Sequence, residues 1–390
     1  MSVPAERARR LRCACRRGRI DAIGTSPDLS DQCQKTVVEF AQECIAACST
    51  FSAHMTREPC PMSDSVDSRP HQKYDALIAR CRALPPVKVA VAHPCDDVSL
   101  RAAVDAARAG IIEPVLVGPE ARITALAASL GIGLSGYRLV DAPHSHAAAA
   151  RAVELVRMGE ADALMKGSLH TDELLAEVVR DGAGLRTERR LSHVFIMDVP
   201  TYPKPLFITD AAVNIRPTLE QKAEIAQNAI DLARVLGVDR PKVAILSAVE
   251  TVTSKLPSTI DAAALCKMAE RGQITGAALD GPLALDNAIN LEAARLKHLG
   301  SSVAGDADIL LAPDLEAGNM LAKELTFLAN ADAAGIVLGA RVPIILTSRA
   351  DNERTRMASC AVAALHAHAT RASAGRAGVA GLADIDGASR

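Results

Sequence analysis

Short apolar runs alternate with longer amphipathic segments along most of this chain after residue 73. Residues 87–92 form a run rich in Val and Ala that is too short for a helix and therefore predicts a strand. Residues 218–236 instead place Leu219 and Ile230, among other apolar residues, at helical spacing. Because strand and helix keep alternating, the sequence predicts an α/β protein with mostly parallel sheets covered by helices.

The same alternation gives the remaining elements. We predict further strands at residues 114–118, 137–141, 161–165, 193–198, 205–209, 243–246, 275–279, 309–312, 336–338 and 342–347. We predict further helices at residues 99–109, 119–130, 145–158, 171–180, 258–271, 285–298, 320–330 and 352–368. A Pro-rich turn joins strands 193–198 and 205–209, which predicts an antiparallel pair.

The length of 390 residues leaves room for two domains, each with its own sheet. The polar segment 182–190 is a candidate crossing point between them. We predict one domain from residues 74–183 and 342–372, a second from residues 184–341, and a frayed tail at 373–390. An active cleft would then lie between the two domains.

The first 73 residues differ in composition from the rest. The first twenty positions contain seven Arg residues and only one acidic residue, Glu6. Six of the ten Cys residues precede residue 61. The Cys13–Cys15 and Cys44–Cys48 spacings match no strong zinc pattern. We expect residues 1–73 to be a poorly ordered extension or an over-long start of the coding region, with a metal-binding or targeting module as the alternative.

Composition and charge exclude several classes of function. The net charge of −2 gives no electrostatic reason to expect nucleic acid or an anionic membrane as a partner. No apolar run approaches the roughly 20 residues that cross a bilayer, and the first residues lack the apolar core of a secretory signal. We therefore expect a cytoplasmic protein.

A polar segment follows the predicted strand 342–347. In open α/β sheets, ligands bind beyond the carboxyl ends of the strands. An Arg at that position, here Arg349 next to Ser348, can clamp phosphate oxygens, although a surface Arg in a loop is the simpler interpretation. Asp351 is either the N-cap of the last helix or a general base, and composition favours the cap.

A second polar segment, KGSLHT at residues 166–171, also follows a strand and precedes a helix. Backbone N–H groups at the start of a helix favour an anion, and Lys166 would add positive charge. Ser168, His170 and Thr171 are further candidate substrate contacts. The segment lacks the glycine and lysine order of a P-loop, and a lone His near a helix cap is usually structural.

The segment PDLEAGN at residues 313–319 carries Asp314, Glu316 and Asn319. These oxygen-bearing side chains could bind a divalent metal. Our preferred interpretation is a tight polar turn before a helix, with Asn319 facing a substrate. The chain has no dinucleotide-binding glycine fingerprint after its first strand.

Five stretches carry a family resemblance. Residues 166–175 (KGSLHTDELL), 280–288 (DGPLALDNA), 303–309 (VAGDADI), 313–319 (PDLEAGN) and 347–351 (TSRAD) resemble the phosphate acetyl/butyryltransferase family in order and spacing. In particular, the chain after residue 73 resembles the transferase half of bifunctional enoyl-CoA hydratase/phosphate acetyltransferase proteins. The hydratase half has no counterpart here, because the Cys/Arg-rich segment stands in its place.

The resemblance implies two α/β domains of the isocitrate/isopropylmalate dehydrogenase type, a homodimer, and conversion of acyl-CoA and phosphate to acyl phosphate and CoA. Ser348 and Arg349 match the family's Ser–Arg pair at the reacting acyl phosphate. The family's carboxylate base lies a few residues beyond that pair, whereas this chain has Asp351 nearer and Thr355 farther along. CoA is a substrate in this scheme, and neither a cofactor nor a metal is required.

The expected chemistry is direct attack in a ternary complex. A carboxylate accepts the thiol proton of CoA, and the thiolate adds to the carbonyl of the acyl phosphate. Ser348 or backbone N–H groups would stabilise the oxyanion, and Arg349 with Lys166 would neutralise the departing phosphate. Acetyl and butyryl substrates both remain open.

Two alternatives belong to other classes. A 2-hydroxy-acid dehydrogenase on the same fold would need a cluster of Asp residues for a divalent ion, and the sequence offers no convincing one. A non-catalytic CoA-binding protein would keep the cleft without turnover, and the intact Ser348–Arg349 pair disfavours it.

Overall fold

The computed structural model describes residues 72–346 and 351–386, with side-chain environments up to residue 372. The predicted extension 1–73 thus lies almost entirely outside the described residues, as do Ser348 and Arg349. Within the described ranges, eleven strands and eleven helices alternate much as the sequence predicts.

All eleven predicted strands are present, with some of their ends shifted. They are β1 Val87–Ala92, β2 Ile112–Gly118, β3 Arg138–Asp141, β4 Ala163–Lys166, β5 Ser192–Asp198, β6 Leu206–Thr209, β7 Lys242–Leu246, β8 Ala278–Leu283, β9 Ile309–Leu311, β10 Asp332–Leu338 and β11 Ile344–Ile345.

The helices follow the predictions with three differences and one addition. They are α1 Gln72–Arg82, α2 Asp97–Arg108, α3 Glu120–Ser129, α4 Ser145–Arg157, α5 Thr171–Val179, α6 Leu219–Val235, α7 Pro257–Glu270, α8 Leu285–Ile289, α9 Leu291–Leu296, α10 Leu315–Leu328 and α11 Glu353–Asp386.

The added helix is α1, which the sequence analysis did not predict. The predicted helix 285–298 is two helices, because Asn290 leaves the helical conformation and its side chain caps α9. Helix α10 begins five residues earlier than predicted, and α11 continues past residue 368 to Asp386. None of the described helices is both long and apolar enough to cross a bilayer.

The strands form one continuous sheet in the order β3-β2-β1-β4-β11-β10-β5-β6-β9-β7-β8. The prediction of two separate sheets is therefore wrong, because β10 and β11 pair at Val337 with Ile344 and at Ile336 with Ile345. The strands of the first predicted domain nevertheless occupy one end of the sheet and those of the second occupy the other. The division into two domains stays a prediction.

Strand direction changes only around β5 and β10 among the described strands. β5 pairs antiparallel with β6, as predicted, and β10 is antiparallel to both β5 and β11. Every other pair in the sheet is parallel. As a result, the carboxyl ends of β4 and β11 lie at the same edge of the sheet as Asp332, the first residue of β10.

Small aliphatic side chains fill the interior, as expected from a chain without Trp. One example is α11, where Ala358, Ala361 and Val362 are fully buried against the sheet and its neighbouring helices. Tyr74 is one of the few buried aromatic residues, and its hydroxyl donates to the carbonyl oxygen of Ile196 at 2.5 Å. This bond ties α1 to β5.

Helix α10 approaches the chain after β6 very closely. A Cβ atom added to Gly318 would lie 2.5 Å from the carbonyl oxygen of Asp210 and 3.1 Å from the Cβ of Ala312. Since the first of these neighbours is backbone, it cannot move aside cheaply. Glycine at 318 therefore sets the distance between α10 and the loop that follows β6.

Replacing Gly318 with Ala should lower the free energy of unfolding by about 1–3 kcal/mol, because overpacking outweighs the gain in helix propensity. Urea denaturation of wild type and variant measures the difference. Met320→Ala is the control in the same helix, since that side chain is 65% exposed and its loss should change stability by about 0.5 kcal/mol or less. Equal stability of Gly318→Ala and wild type would contradict the close approach.

Candidate functional site

A cleft of about 610 Å³ opens at the carboxyl ends of β4 and β11, and we call it the main cleft. Lys166 at the end of β4 and Thr171 at the start of α5 line it. β5 contributes His193 and Phe195. The position agrees with the general rule that ligands bind beyond the carboxyl ends of parallel strands.

Helix α10 and the start of α11 complete much of the lining. The residues from α10 are Ala322, Lys323, Thr326 and Phe327. Leu346 and Asp351, which flank the predicted Ser348–Arg349 pair in the sequence, also line the main cleft. The structure thus brings the chain on both sides of this pair to the same cleft as Lys166.

The KGSLHT segment divides between two clefts. Lys166 and Thr171 line the main cleft, whereas Ser168 and His170 line a second cleft of about 530 Å³. The Lys166 ammonium donates to the carbonyl oxygens of Gly167 and Leu169, both at 3.1 Å, which holds its stem against the turn. The four residues that the sequence analysis grouped together therefore do not share one cavity.

Ser168 is engaged by the backbone of the loop after β1. Its hydroxyl donates to the carbonyl oxygen of His93 at 2.9 Å and accepts from the Cys95 amide at 3.3 Å. The His93 ring nitrogen Nδ1 lies 3.1 Å from the same hydroxyl. These bonds join the ends of β1 and β4. Burial, followed by the nearby Arg122 guanidinium, lowers the pKa of His93.

His170 immediately precedes α5, and its backbone N–H donates to the Glu173 carboxylate at 3.4 Å. The side chain of His170 is exposed at the second cleft. This geometry fits the structural role usual for a histidine beside a helix cap.

Asn352, not Asp351, caps α11. The Asn352 side-chain oxygen accepts from the Thr355 amide at 2.7 Å, which is the bond that an N-cap residue makes. The prediction that Asp351 caps the helix is therefore wrong. Asp351 instead lines the main cleft, and its backbone carbonyl accepts from the Arg356 guanidinium. The general-base role of Asp351 stays a prediction.

A second carboxylate, Asp332, also lines the main cleft but belongs to an ion pair. The Nε of Arg354 lies 3.0 Å from Oδ2 of Asp332, and the Asn352 amide nitrogen donates to Oδ1 at 3.4 Å. Arg354 also pairs with Asp75 of α1 at 2.9 Å. Asp332 therefore fixes the start of α11 beside Asp351.

The PDLEAGN segment is not a turn before a helix, because α10 already begins at Leu315. Asp314 is the N-cap, and its carboxylate accepts from the Ala317 amide at 2.9 Å. Glu316 is exposed in the first turn, where its charge suits the helix dipole. Neither Asp314 nor Glu316 is among the residues that line the main cleft.

Asn319 acts one step away from the main cleft. Its side-chain amide donates to the carbonyl oxygen of Ala211 at 2.9 Å, and the next residue, Ala212, lines the cleft. The structure therefore gives Asn319 a positioning contact, and the predicted direct contact of Asn319 with a substrate stays a prediction.

Across the described ranges, no group of three or more His, Cys, Asp or Glu side chains comes close enough to hold a metal ion. Asp314 and Glu316 accordingly have no third ligand nearby in that part of the chain. The metal interpretation of PDLEAGN has no geometric support there.

His193 is one of the cleft residues that the sequence did not single out, and it is the most deeply buried ionisable one among them. It is 2% exposed, and its ring packs edge-to-face on Phe195 with the ring centroids 4.3 Å apart. Burial lowers the pKa of His193 to about 4, and the nearby Asp210 carboxylate opposes the shift. The imidazole is therefore neutral at pH 7. A histidine inside an apolar strand carries no signal that separates this environment from an ordinary core position.

Asp314→Ala should lower the free energy of unfolding by about 1 kcal/mol through loss of the cap. The Michaelis constants for acyl-CoA and phosphate, in the reaction that the resemblance implies, should not change. Asp314→Ser restores a capping side chain and should recover most of the stability. A large rise in either Michaelis constant for Asp314→Ala, with stability unchanged, would instead assign Asp314 to the substrate.

The buried neutral His193 should make the protein less stable in acid. Its pKa in the unfolded chain is near 6.5, whereas burial lowers the folded value to about 4. Between these pH values the unfolded state gains a proton that the folded state does not, so the free energy of unfolding falls as pH falls, by at most about 3 kcal/mol. Above pH 6.5 this contribution is constant.

Denaturant unfolding at pH 7.5, 5.5 and 4.5 measures this dependence. His193→Asn should flatten the decline, whereas His298→Asn, which changes an exposed histidine, should leave it unaltered. If the free energy of unfolding fell equally with pH in wild type and in His193→Asn, His193 would have the same pKa in the folded and unfolded states.

Comparison with known proteins gives consistent results. Residues 144–364 match the family model described as phosphate acetyl/butaryl transferase. The chain is 65% identical over 300 residues to a phosphate acetyltransferase of Rhizobium meliloti, which covers 77% of this chain and 95% of the relative. It is 42% identical over 294 residues to a phosphate butyryltransferase of Clostridium acetobutylicum, covering 75% and 98% of the two chains.

Among solved structures, the chain is similar to a branched-chain phosphotransacylase from Enterococcus faecalis V583. The TM-score is 0.64 at 31% identity, over 72% of this chain and 99% of the other. The family model spans more than half of this chain, and the relatives are matched over most of their own length. The chain therefore belongs to the phosphate acetyl/butyryltransferase family.

Proposed function

We propose that this protein is a phosphate acyltransferase that converts acyl-CoA and phosphate to acyl phosphate and CoA, reversibly. The main support for this proposal is the set of residues that meet in the main cleft. There, Lys166, Asp351 and the chain on both sides of Ser348–Arg349 meet at the carboxyl ends of β4 and β11.

Arg349 and Lys166 supply the positive charge. A phosphate or acyl phosphate needs cationic donors, and the planar guanidinium of Arg349 can donate two parallel hydrogen bonds to its oxygens. Lys166 lines the main cleft at the end of β4 and adds a second charge. Ser348, matched to the family's Ser–Arg pair by its place in the sequence, would donate to the acyl carbonyl oxygen as negative charge develops there.

Asp351 is the proposed general base. In the direction of acyl-CoA synthesis, it accepts the proton of the CoA thiol, and the resulting thiolate forms a bond to the carbonyl carbon of the acyl phosphate. The carbon–oxygen bond to phosphate then breaks, and phosphate leaves with the electron pair. Asp351 lines the main cleft, and the neighbouring Asn352 is the residue that caps α11. Both substrates are present together, and no covalent enzyme intermediate forms.

The edge of the main cleft suits CoA. Lys323 and Phe327 lie one helical turn apart on α10, and both are exposed. A cation and an aromatic face at this spacing could contact the phosphates and the adenine of CoA. CoA would be a substrate, and the scheme uses no further cofactor.

We place acetyl first among the acyl groups, with butyryl second, because the 65% identical relative is named a phosphate acetyltransferase and the butyryltransferase relative is 42% identical. The proposal further includes a homodimer, as the family resemblance implies, and a cytoplasmic location, as expected from the sequence features described above.

Phosphate-dependent release of free CoA thiol from acetyl-CoA and butyryl-CoA tests the function. Arg349→Ala should lower kcat/KM by about 100-fold or more, because a charged contact with phosphate is lost. Asp351→Asn should lower it by a similar factor, because the general base is lost. Arg341→Ala and Glu353→Gln are the matched controls, since both side chains are exposed and neither lines the main cleft.

Folded wild-type protein that binds acetyl-CoA but releases no thiol with phosphate would contradict the transferase proposal. That result would favour the CoA-binding alternative. Full activity of Asp351→Asn would instead remove Asp351 from the role of base while leaving the reaction in place.

A further inference from the structure

His193 combines three properties that its packing alone does not explain. It is 2% exposed, it lines the main cleft, and its ring nitrogen Nδ1 is buried without a hydrogen-bond partner. A neutral imidazole carries one donor and one acceptor nitrogen, so leaving Nδ1 unpaired in a buried position costs stability. Buried polar groups in native proteins are rarely left in this state.

The surroundings of His193 hold the ring but leave Nδ1 unpaired. Phe195 packs against the His193 ring edge-to-face. Gly335 lies so close to the ring that a Cβ atom added to it would be 3.1 Å from Nε2 of His193. The same atom would be 2.8 Å from the carbonyl oxygen of Leu346. Asp210 is the nearby charged group, but its carboxylate already accepts from the backbone amides of residues 193, 212, 213 and 214 and from the Asn214 side chain. The ring of His193 in β5 therefore lies against Gly335 of β10, which also borders Leu346 just after β11.

We propose that His193 is a substrate-contact residue of the main cleft, whose Nδ1–H donates to an oxygen of the reacting group. This inference rests on the proposed function for the identity of the ligand, which carries an acyl carbonyl and a phosphate. Both offer oxygen acceptors. A neutral donor suits an acyl carbonyl because it stabilises developing negative charge without itself having to lose a proton.

Three substitutions separate this role from a structural one. His193→Phe keeps a flat ring and removes both nitrogens. His193→Asn places an amide nitrogen near the position of Nδ1, and His193→Gln extends its amide toward the position of Nε2. Each is measured for kcat and KM with acetyl-CoA and phosphate, for melting temperature, and for equilibrium binding of acetyl-CoA alone and of phosphate alone, without turnover.

His193→Phe should reduce kcat/KM by about 10- to 100-fold, the effect of losing one buried hydrogen bond to the reacting group. Its melting temperature should equal or exceed that of wild type, because an unpaired buried polar atom is removed. His193→Asn should recover more activity than His193→Gln. A rise in KM for phosphate would identify a phosphate oxygen as the acceptor, whereas a fall in kcat alone would identify the acyl carbonyl.

His366→Phe is the matched control. His366 also has a buried Nδ1 without a hydrogen-bond partner, but it lines a different cavity, beside Arg189 and Asp231. Its substitution should leave kcat/KM within about twofold of wild type. If His366→Phe lowered activity as much as His193→Phe, the effect would be a general one of core histidines and the inference would fail.

Two further results would overturn the inference. The first is an active wild-type enzyme together with a His193→Phe variant whose kcat/KM stays within twofold of the wild-type value. The other is a His193→Phe variant that loses activity and melting temperature together and is not rescued by Asn. If wild type shows no phosphate-dependent transfer, the proposed function fails. Equilibrium binding of acetyl-CoA and of phosphate, each measured alone, then decides the inference separately: binding of one of the two should weaken in His193→Phe, and the inference fails if both are unchanged.

Discussion

The main cleft depends on the buried carboxylate of Asp210. Its two oxygens accept four backbone N–H groups, from His193 at the start of β5 and from residues 212–214 of the following loop, together with the Asn214 amide. A carboxylate that is 3% exposed would be costly without such partners. With them, it fixes β5, the loop and Gly318 of α10, which packs on the Asp210 carbonyl oxygen, as one unit.

This arrangement explains why the cleft residues hold their positions although they come from distant parts of the chain. Asn319 secures the loop from α10, and the ion pair of Arg354 with Asp332 secures the start of α11 at the end of β10. Ser168 joins the ends of β1 and β4 next to Lys166. Groups that touch a substrate are held in such sites by a surrounding set of hydrogen bonds, and that set includes several of the polar residues that stood out in the sequence.

The sequence was sufficient to predict all eleven strands and the antiparallel pair of β5 and β6, because short β-branched runs and a Pro-rich turn are local signals. It also located the start of the KGSLHT segment at the end of β4. It could not predict that β10 and β11 would join the strands into one sheet, because pairing between strands depends on long-range contacts. Cap assignments failed for a related reason: Asp351 and Asn352 are both good N-caps, and only the geometry of the Thr355 amide selects Asn352. His193 was missed because burial and an unpaired nitrogen leave no trace in the order of residues.

Exchange of isotopically labelled phosphate into acetyl phosphate tests direct transfer between phosphate and the CoA thiolate most clearly. In a ternary complex, phosphate leaves only when the thiolate attacks, so exchange should require CoA and stop completely when CoA is omitted. Exchange without CoA would mean that the enzyme itself accepts the acyl group, and it would contradict direct transfer in the main cleft.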